Sequence, residues 1–302
     1  MAQLPKRQKE NAMYFWTGIS DEAGEGLATQ IKAHMALGWR HIELRKVNGR
    51  GILALSDKDF RSVLRALQEA NLKVSCLGSP IGDWSHSIRD SALPDANLLR
   101  RAVKRANQLA DALGMLPFVR VMSYPNDKDD PMPEELWRQR AIDRMYGLLK
   151  IVEDTGVVLA HENCSGWGGI SAENNDILLR EVDHEQFGVL FDTGNPPTYG
   201  KNTWEWFQTV RGRIVYVHIK DARKEDGTDV YTYPGEGAGC VGQVLASLLD
   251  IGYEGGISIE PHMQAVIHTG QKAADPRALY DNYVEYGHRL IQLVEDITRN
   301  TA

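Results

Sequence analysis

The sequence predicts an α/β fold, a (β/α)8 barrel, and three observations predict it. Short apolar runs alternate with segments of helical periodicity eight times along the chain, the pattern of a parallel sheet covered by helices. No linker-like change in composition interrupts the series. Four consecutive apolar runs in the second half each end in a side chain able to bind a metal, namely Glu162, Asp192, His218 and Glu260. A barrel of eight such units takes about 250 residues, so the 302-residue chain reads as one domain over 1–302, with 1–12 a flexible tail. A doubly wound open sheet is the alternative. It loses ground because no Gly-x-Gly-x-x-Gly follows the first strand.

Composition narrows the function classes. The chain is 42% hydrophobic and 25% charged, ordinary for a globular protein with a sizeable core. Its net charge is −7 and no run of Lys or Arg forms a basic stripe, which argues against nucleic acid as partner. No apolar run approaches the roughly 18–20 residues of a membrane span. The polar, basic start of the chain does not read as a secretory signal. Three scattered cysteines, Cys76, Cys164 and Cys240, fit reduced thiols in the cytoplasm.

The elements follow in order. Residues 13–20 form the first strand, and 26–37 a helix with Leu27, Ile31 and Met35 on one face and Gly38 past its end. Residues 39–44 form the second strand, ending near Glu43 with Arg45 just beyond. Ser56 caps a helix to Ala70 that carries Phe60, Val63, Leu64 and Leu67 at helical spacing. Strand three, 71–78, leads to a loop, 79–87, that holds Trp84 and His86.

A long helix over 95–113 precedes strand four, 118–122; the Pro- and Asp-rich stretch 124–133 reads as a loop before a helix over 134–154. Strand five is 156–163, followed by a glycine-rich loop, 164–169, and a helix capped by Ser171 that runs to about residue 181. Strand six is 187–192, and a short helix over 204–210 precedes strand seven, 213–218. The stretch 221–239 reads as a long loop, 242–251 as a helix, 256–260 as strand eight and 276–299 as the closing helix.

The four strand ends carry the chemistry. A closed barrel aims the carboxyl ends of its strands at a common centre, so residues 26 to 42 positions apart can converge on one ion. Three carboxylates and one imidazole make a hard, oxygen-rich set that suits Mn2+, Mg2+ or Co2+ and also accepts Zn2+. A single Glu or Asp after a strand is ordinarily a cap or loop residue. Four in consecutive units are hard to explain that way.

The same residues carry a resemblance. His-Glu-Asn (161–163), Phe-Asp-Thr-Gly-Asn (191–195), Val-His-Ile-Lys-Asp (217–221) and Ile-Glu-Pro-His (259–262) resemble the signature of the xylose-isomerase-like sugar isomerase/epimerase superfamily. That superfamily includes tagatose/psicose 3-epimerases, hydroxypyruvate isomerase, inosose isomerases and dehydratases, and endonuclease IV. The resemblance runs from Tyr14 to the last helix and is strongest over 157–262. It implies a TIM barrel and one divalent ion, Mn2+ foremost, held by Glu162, Asp192, His218 and Glu260. It also implies that Glu162 and Glu260 are the catalytic acid and base, moving a proton α to a carbonyl through a metal-stabilised enediolate.

The expected activity is therefore isomerisation or epimerisation of a sugar or polyol-derived carbonyl compound. The alternative on the same site is a lyase or dehydratase acting on a keto-sugar or inosose. From another class, a sugar-binding protein without turnover is the rival. The expected partner is a small sugar or sugar-derived molecule, with a homo-oligomer allowed.

Two departures from the family bear on substrate. Many members carry Asp-x-x-His after strand six, where this chain has Asn195. The 3-epimerases place a substrate-holding Glu shortly after the first ligand, where this chain has Ser165-Gly166-Trp167-Gly168-Gly169. Both point from a simple ketose toward a modified or larger sugar or an inosose. The further histidines of endonuclease IV are missing too: Asp229-Val230-Tyr231 lacks the His. Substrate contacts are expected from Glu43, Arg45, Trp84, His86, Trp167, Asn195, Lys220 and Arg223, all placed by the pattern at the mouth of the barrel. His161 should face away from Glu162 as a core histidine, Cys164 should be an inert thiol, and His262 a neighbour of the ion rather than its ligand.

Overall fold

The computed structural model of the protein describes residues 14–263 and 275–301; the tail expected over 1–12 lies outside them. Eight strands make one sheet: β1 (Phe15–Gly18), β2 (His41–Leu44), β3 (Lys73–Leu77), β4 (Phe118–Ser123), β5 (Leu159–Gly166), β6 (Phe187–Asp192), β7 (Ile214–Ile219) and β8 (Gly256–Ile259). They lie side by side in chain order with β8 against β1, and every ladder between them is parallel. A parallel bridge from Ile19 to Glu43 closes the remaining gap between β1 and β2. The result is a (β/α)8 barrel, as the repeating pattern predicted.

Seven crossover helices join successive strands, α1 (Leu27–Ala36), α2 (Asp57–Glu69), α3 (Leu93–Leu113), α4 (Glu134–Val152), α5 (Ala172–Val182), α6 (Thr203–Val210) and α7 (Val241–Asp250), and α8 (Pro276–Thr301) follows β8. Local chemistry starts and stops them. Ser56 and Ser171 cap α2 and α5 by accepting the amides of Asp59 and Asn174, each at 3.1 Å. Gly114 ends α3 in the left-handed conformation, at φ 71°.

Side-chain alternation along the strands divides the core. Val119, Val121, Val189, Phe191, Val217 and Ile219 point outward and are buried under the helices. Each such side chain contributes roughly 1.5–3 kcal/mol when fully buried. The alternate positions fill the barrel interior in levels. Phe118, Ala160, Leu190 and Tyr216 form an apolar level. Two residues further along the same strands come Arg120, Glu162, Asp192 and His218. The charged level is thus one side-chain period above an apolar floor.

Three stretches differ from expectation. β5 does not stop at residue 163 but continues to Gly166, and a 3-10 turn, Trp167–Gly169, follows. Gly166 makes this close approach possible: at φ 79°, a Cβ would lie 2.2 Å from the backbone carbon of Ser123. The stretch 221–239 is not simply a loop, because Asp221–Glu225 and Thr228–Thr232 pair as an antiparallel ribbon. A smaller ribbon pairs Lys46–Val47 with Arg50–Gly51. Both turn on a two-residue Asp226-Gly227 or Asn48-Gly49 step at positive φ, which is a hairpin signal legible in the sequence. The three cysteines are all free, and no helix among the described residues is long and apolar enough to cross a membrane.

Candidate functional site

The register brings the four strand-end residues together. Asp192 on β6 is level with His218 on β7, which is level with Ser258 on β8, two residues before Glu260. One ligand-type atom from each of Glu162, Asp192, His218 and Glu260 lies within 4.8 Å of the others, and all four side chains are buried. His218 Nδ1 is 3.5 Å from both Glu162 Oε1 and Glu260 Oε2. The other ring nitrogen, Nε2, is 3.0 Å from Glu43 Oε2, and that carboxylate also accepts the Ser258 hydroxyl at 2.7 Å. Glu43 therefore fixes which nitrogen of His218 faces the centre. This is the arrangement of a carboxylate behind a metal-binding histidine.

Cations surround the carboxylates. Arg120 Nη1 lies 3.2 Å from Glu162 Oε2, and Arg45 Nη1 lies 3.1 Å from Glu260 Oε1. Lys220 Nζ sits between Asp192 Oδ2 at 2.7 Å and Glu260 Oε2 at 3.2 Å. Burial raises the pKa of Asp192, Lys220 pulls it down, and repulsion from Glu260 and Glu162 raises it further, to about 7. Burial opposes a charge on His218, but Glu43, Glu162 and Glu260 outweigh it and raise its pKa to about 10. Burial is the larger cause for Asp192 and works against the shift of His218; the neighbouring carboxylates raise both.

The residues fit a divalent cation. Asp192 Oδ2 and Glu162 Oε2 are held by the Lys220 and Arg120 cations, whereas His218 Nδ1 is buried and makes no hydrogen bond. Leaving such a group unsatisfied costs roughly 1–3 kcal/mol, more when it is charged. Asp192 is held on both sides: Oδ1 accepts the amides of Gly194 at 2.7 Å and Asn195 at 3.0 Å, and Oδ2, on the side of the centre, faces Lys220 Nζ at 2.7 Å. Asn163 bonds the Asp192 backbone on both sides and ties β5 to β6 at this level.

The cluster opens into a cavity of about 480 Å3 whose lining includes Arg45, Trp84, Arg120, Asn195, Tyr199 and Tyr231. Arg45, Trp84, Asn195 and Lys220, all expected to face substrate, do line it. Asn195 lines the cavity, and its Nδ2 is buried without a hydrogen bond. Trp84 is 50% exposed at the rim.

The structure corrects four expectations. Glu43 lies beneath the centre, wholly buried against His218, so it is not a substrate contact. Trp167 is buried 5.9 Å from the Arg138 guanidinium, because the extension of β5 carries it past the mouth. His86 turns its Nδ1 to the carbonyl of Pro80 at 3.2 Å and toward Asp83 and Asp95, and it is not among the residues that line the cavity. Arg223 is on the exposed ribbon, paired with Glu225 at 2.7 Å. His161 is buried against Phe187 as expected, and burial lowers its pKa to about 4. Burial, aided by Glu162, raises the Cys164 thiol well above its ordinary range. It is no thiolate.

Sequence reasoning missed several residues. Arg120 carried a signal: a lone charge inside an apolar strand, in phase with the strand-end ligands, has to be paired when buried. Glu22 carried none. It receives the backbone amide of His262 at 2.8 Å and faces its Nδ1 at 2.7 Å. Glu22, Glu260 and His262 also lie within 4.8 Å of one another, but the Arg45 guanidinium already bonds Glu22 and Glu260 there.

Comparison with known proteins agrees with this architecture. The family model described as xylose isomerase-like TIM barrel matches residues 31–282. An inosose dehydratase of Geobacillus thermodenitrificans is 27% identical over 156 residues, covering 47% of this chain and 52% of that protein. The chain spans about half the length of the curated relatives it matches. A solved D-tagatose 3-epimerase-like protein is similar at a TM-score of 0.71 and 20% identity, over 95% of this chain and 100% of that one. The IOLI protein, solved with a zinc atom, is similar at a TM-score of 0.67 and 18% identity, over 94% of this chain and 99% of that one. At such identities the structural likeness speaks for the fold alone.

Proposed function

Because the chain belongs to the xylose isomerase-like TIM barrel family, we propose that it is a divalent-metal-dependent isomerase or epimerase of a sugar or polyol-derived carbonyl compound. One observation carries the reading. Glu162, Asp192, His218 and Glu260 converge within 4.8 Å, and the inward nitrogen of His218 is buried without a hydrogen bond. The same hard donor set favours Mn2+, with Mg2+, Co2+ or Zn2+ also suited. A bound ion would polarise the substrate carbonyl and spread the negative charge of the enediolate.

The chain's own residues supply the rest. Glu162 and Glu260 are the proton-transfer pair, approaching from different strands. Arg120 and Arg45 each hold one oxygen of these carboxylates, so the remaining oxygen keeps a fixed direction. Such positioning is worth more than raw basicity when a carboxylate must remove a proton α to a carbonyl. Asn195 Nδ2 donates to a substrate oxygen, and Trp84 lies against the apolar face of the ring.

A second reading has its own support in the similarity to an inosose dehydratase. There the same enediolate would lose a β-hydroxyl as water instead of being reprotonated. NMR in D2O with ketoses, 3-keto sugars and inososes separates the two. Isomerisation exchanges a carbon-bound proton for deuterium and keeps the formula, whereas dehydration gives an unsaturated product. Unchanged proton spectra with all three classes would refute both.

A further inference from the structure

We infer that Tyr231 is a specificity-determining residue that hydrogen-bonds a substrate oxygen, and that Asp221 positions it through the ribbon after β7. The inference rests on the isomerase or epimerase reading and adds a contact which that reading does not supply. Among the described residues, three hydroxyl side chains line the cavity: Thr198, Tyr199 and Tyr231. Two of them are committed to the chain itself. Thr198 donates to the carbonyl of Asn195 at 2.8 Å, and Tyr199 donates to that of Cys164. The Tyr231 hydroxyl makes no hydrogen bond among the described residues. A phenol keeps its proton at neutral pH, and it both donates and accepts.

The ring is held where that hydroxyl is useful. Tyr231 is half-buried and meets the His262 ring edge to face, with centroids 5.2 Å apart and planes at 72°. His262 is itself fixed, its Nδ1 lying 2.7 Å from Glu22. Alternation along the strand Thr228–Thr232 puts Asp229 on the same face as Tyr231, and both line the cavity. The Asp229 carboxylate is spent on Lys224, at 2.6 Å. Tyr231 is therefore the group on this face left to meet a ligand.

A two-stranded ribbon is marginally stable by itself, and Asp221 is what clamps this one. It pairs with Thr232, next to Tyr231, at the base of the ribbon. Its Oδ1 accepts the amides of Ala222 at 3.0 Å and Gly239 at 2.8 Å, and its Oδ2 those of Gly235 at 2.8 Å and Gly237 at 3.0 Å. The chain leaving the ribbon thus folds back onto a carboxylate anchored two residues past β7. Glycine is needed for this approach, since a Cβ on Gly237 or Gly239 would lie 2.3 or 2.7 Å from Asp221 Oδ1. Asp221 itself does not line the cavity, so it acts through the placement of Tyr231.

The test is calorimetric titration of the full chain, with and without Mn2+, using D-tagatose and scyllo-inosose as probes. Wild type is compared with Tyr231→Phe, Asp221→Asn and the double variant. Tyr231→Phe should weaken binding of at least one probe by roughly three- to tenfold, the effect of one neutral hydrogen bond, with metal content unchanged. Asp221→Asn should weaken the same probe, and the two losses should not add in the double variant, because both remove one contact. A merely structural role for Asp221 would give additive losses, and that result would overturn its part. Wild-type affinity of Tyr231→Phe for both probes, or a wild type that binds neither, would overturn the inference. If Asp221→Asn fails to fold, the Tyr231→Phe comparison decides alone. A wild type that binds a probe but exchanges no carbon-bound proton in D2O would refute the isomerase reading, while the affinities would still decide this one.

Discussion

His218 Nε2 and Glu43 Oε2 lie 3.0 Å apart in a fully buried contact between β7 and β2, nearly opposite sides of the barrel. The pair orients the imidazole from below, so that its Nδ1 faces Glu162 and Glu260. Glu43 reaches no cavity, yet the geometry of the centre depends on it.

Glu43→Gln should therefore weaken ion binding without abolishing the fold. Partners behind metal-bound histidines typically contribute 10–100-fold in metal affinity. Competition titration with a chelator should show a loss of that order, with an unchanged circular dichroism spectrum. An affinity equal to that of the wild type would assign Glu43 to packing alone.

Arg120 and Glu162 form a buried pair with side chains 8% and 2% exposed. Removing one partner of such a pair typically costs about 3–5 kcal/mol. Arg120→Met should destabilise the ion-free protein by that order. A saturating divalent ion should restore part of the loss, because it neutralises Glu162 from the other side. Denaturant unfolding with and without the ion would measure both numbers. Equal losses in the two conditions would contradict an ion beside Glu162.

Chelation offers a simpler readout. An ion present at a hundred times its dissociation constant stabilises the folded chain by about 2.7 kcal/mol. For a chain of this size that corresponds to a shift of roughly 4 °C in Tm. Chelator should lower the melting temperature accordingly, and added Mn2+ should restore it. An unmoved transition would argue against a site in the folded state.

Much of this was legible in advance, for reasons that can be located. The eight units showed because strands buried on both faces read as uninterrupted apolar runs, and Glu162, Asp192, His218 and Glu260 showed because charge follows those runs abruptly. The loops were harder. Trp167 and Arg223 were placed at the mouth by sequence proximity, but the extension of β5 and the ribbon after β7 carry them elsewhere. Asn48-Gly49 and Asp226-Gly227 could have announced the two ribbons. Nothing local announced Glu22 or Asp21, whose partners Arg45 and His262 come from the ends of the flanking strands β2 and β8, far away in sequence.

Acid stability should depend on His34, a site far from the carboxylates in function. It is fully buried, with Nδ1 2.9 Å from the carbonyl of Gln30 and Nε2 3.2 Å from the Tyr283 hydroxyl. Burial lowers its pKa from 6.5 to about 4. Between these values the unfolded chain takes up a proton that the folded chain does not, so stability falls as pH falls through that window. The slope from this group is at most about 1.4 kcal/mol per pH unit. His34→Asn should flatten the stability profile between pH 4 and 6.5, as measured by urea unfolding. Parallel profiles would show that His34 does not stay neutral when folded.

The central claim is that Glu162, Asp192, His218 and Glu260 hold one divalent ion. Elemental analysis of protein purified without chelators tests it most directly, with Asp192→Ala and His218→Ala alongside the wild type. The account predicts one ion per wild-type chain, Mn2+ foremost, and a large loss in both variants. A wild-type protein with no stoichiometric metal, or variants that retain it in full, would contradict the account.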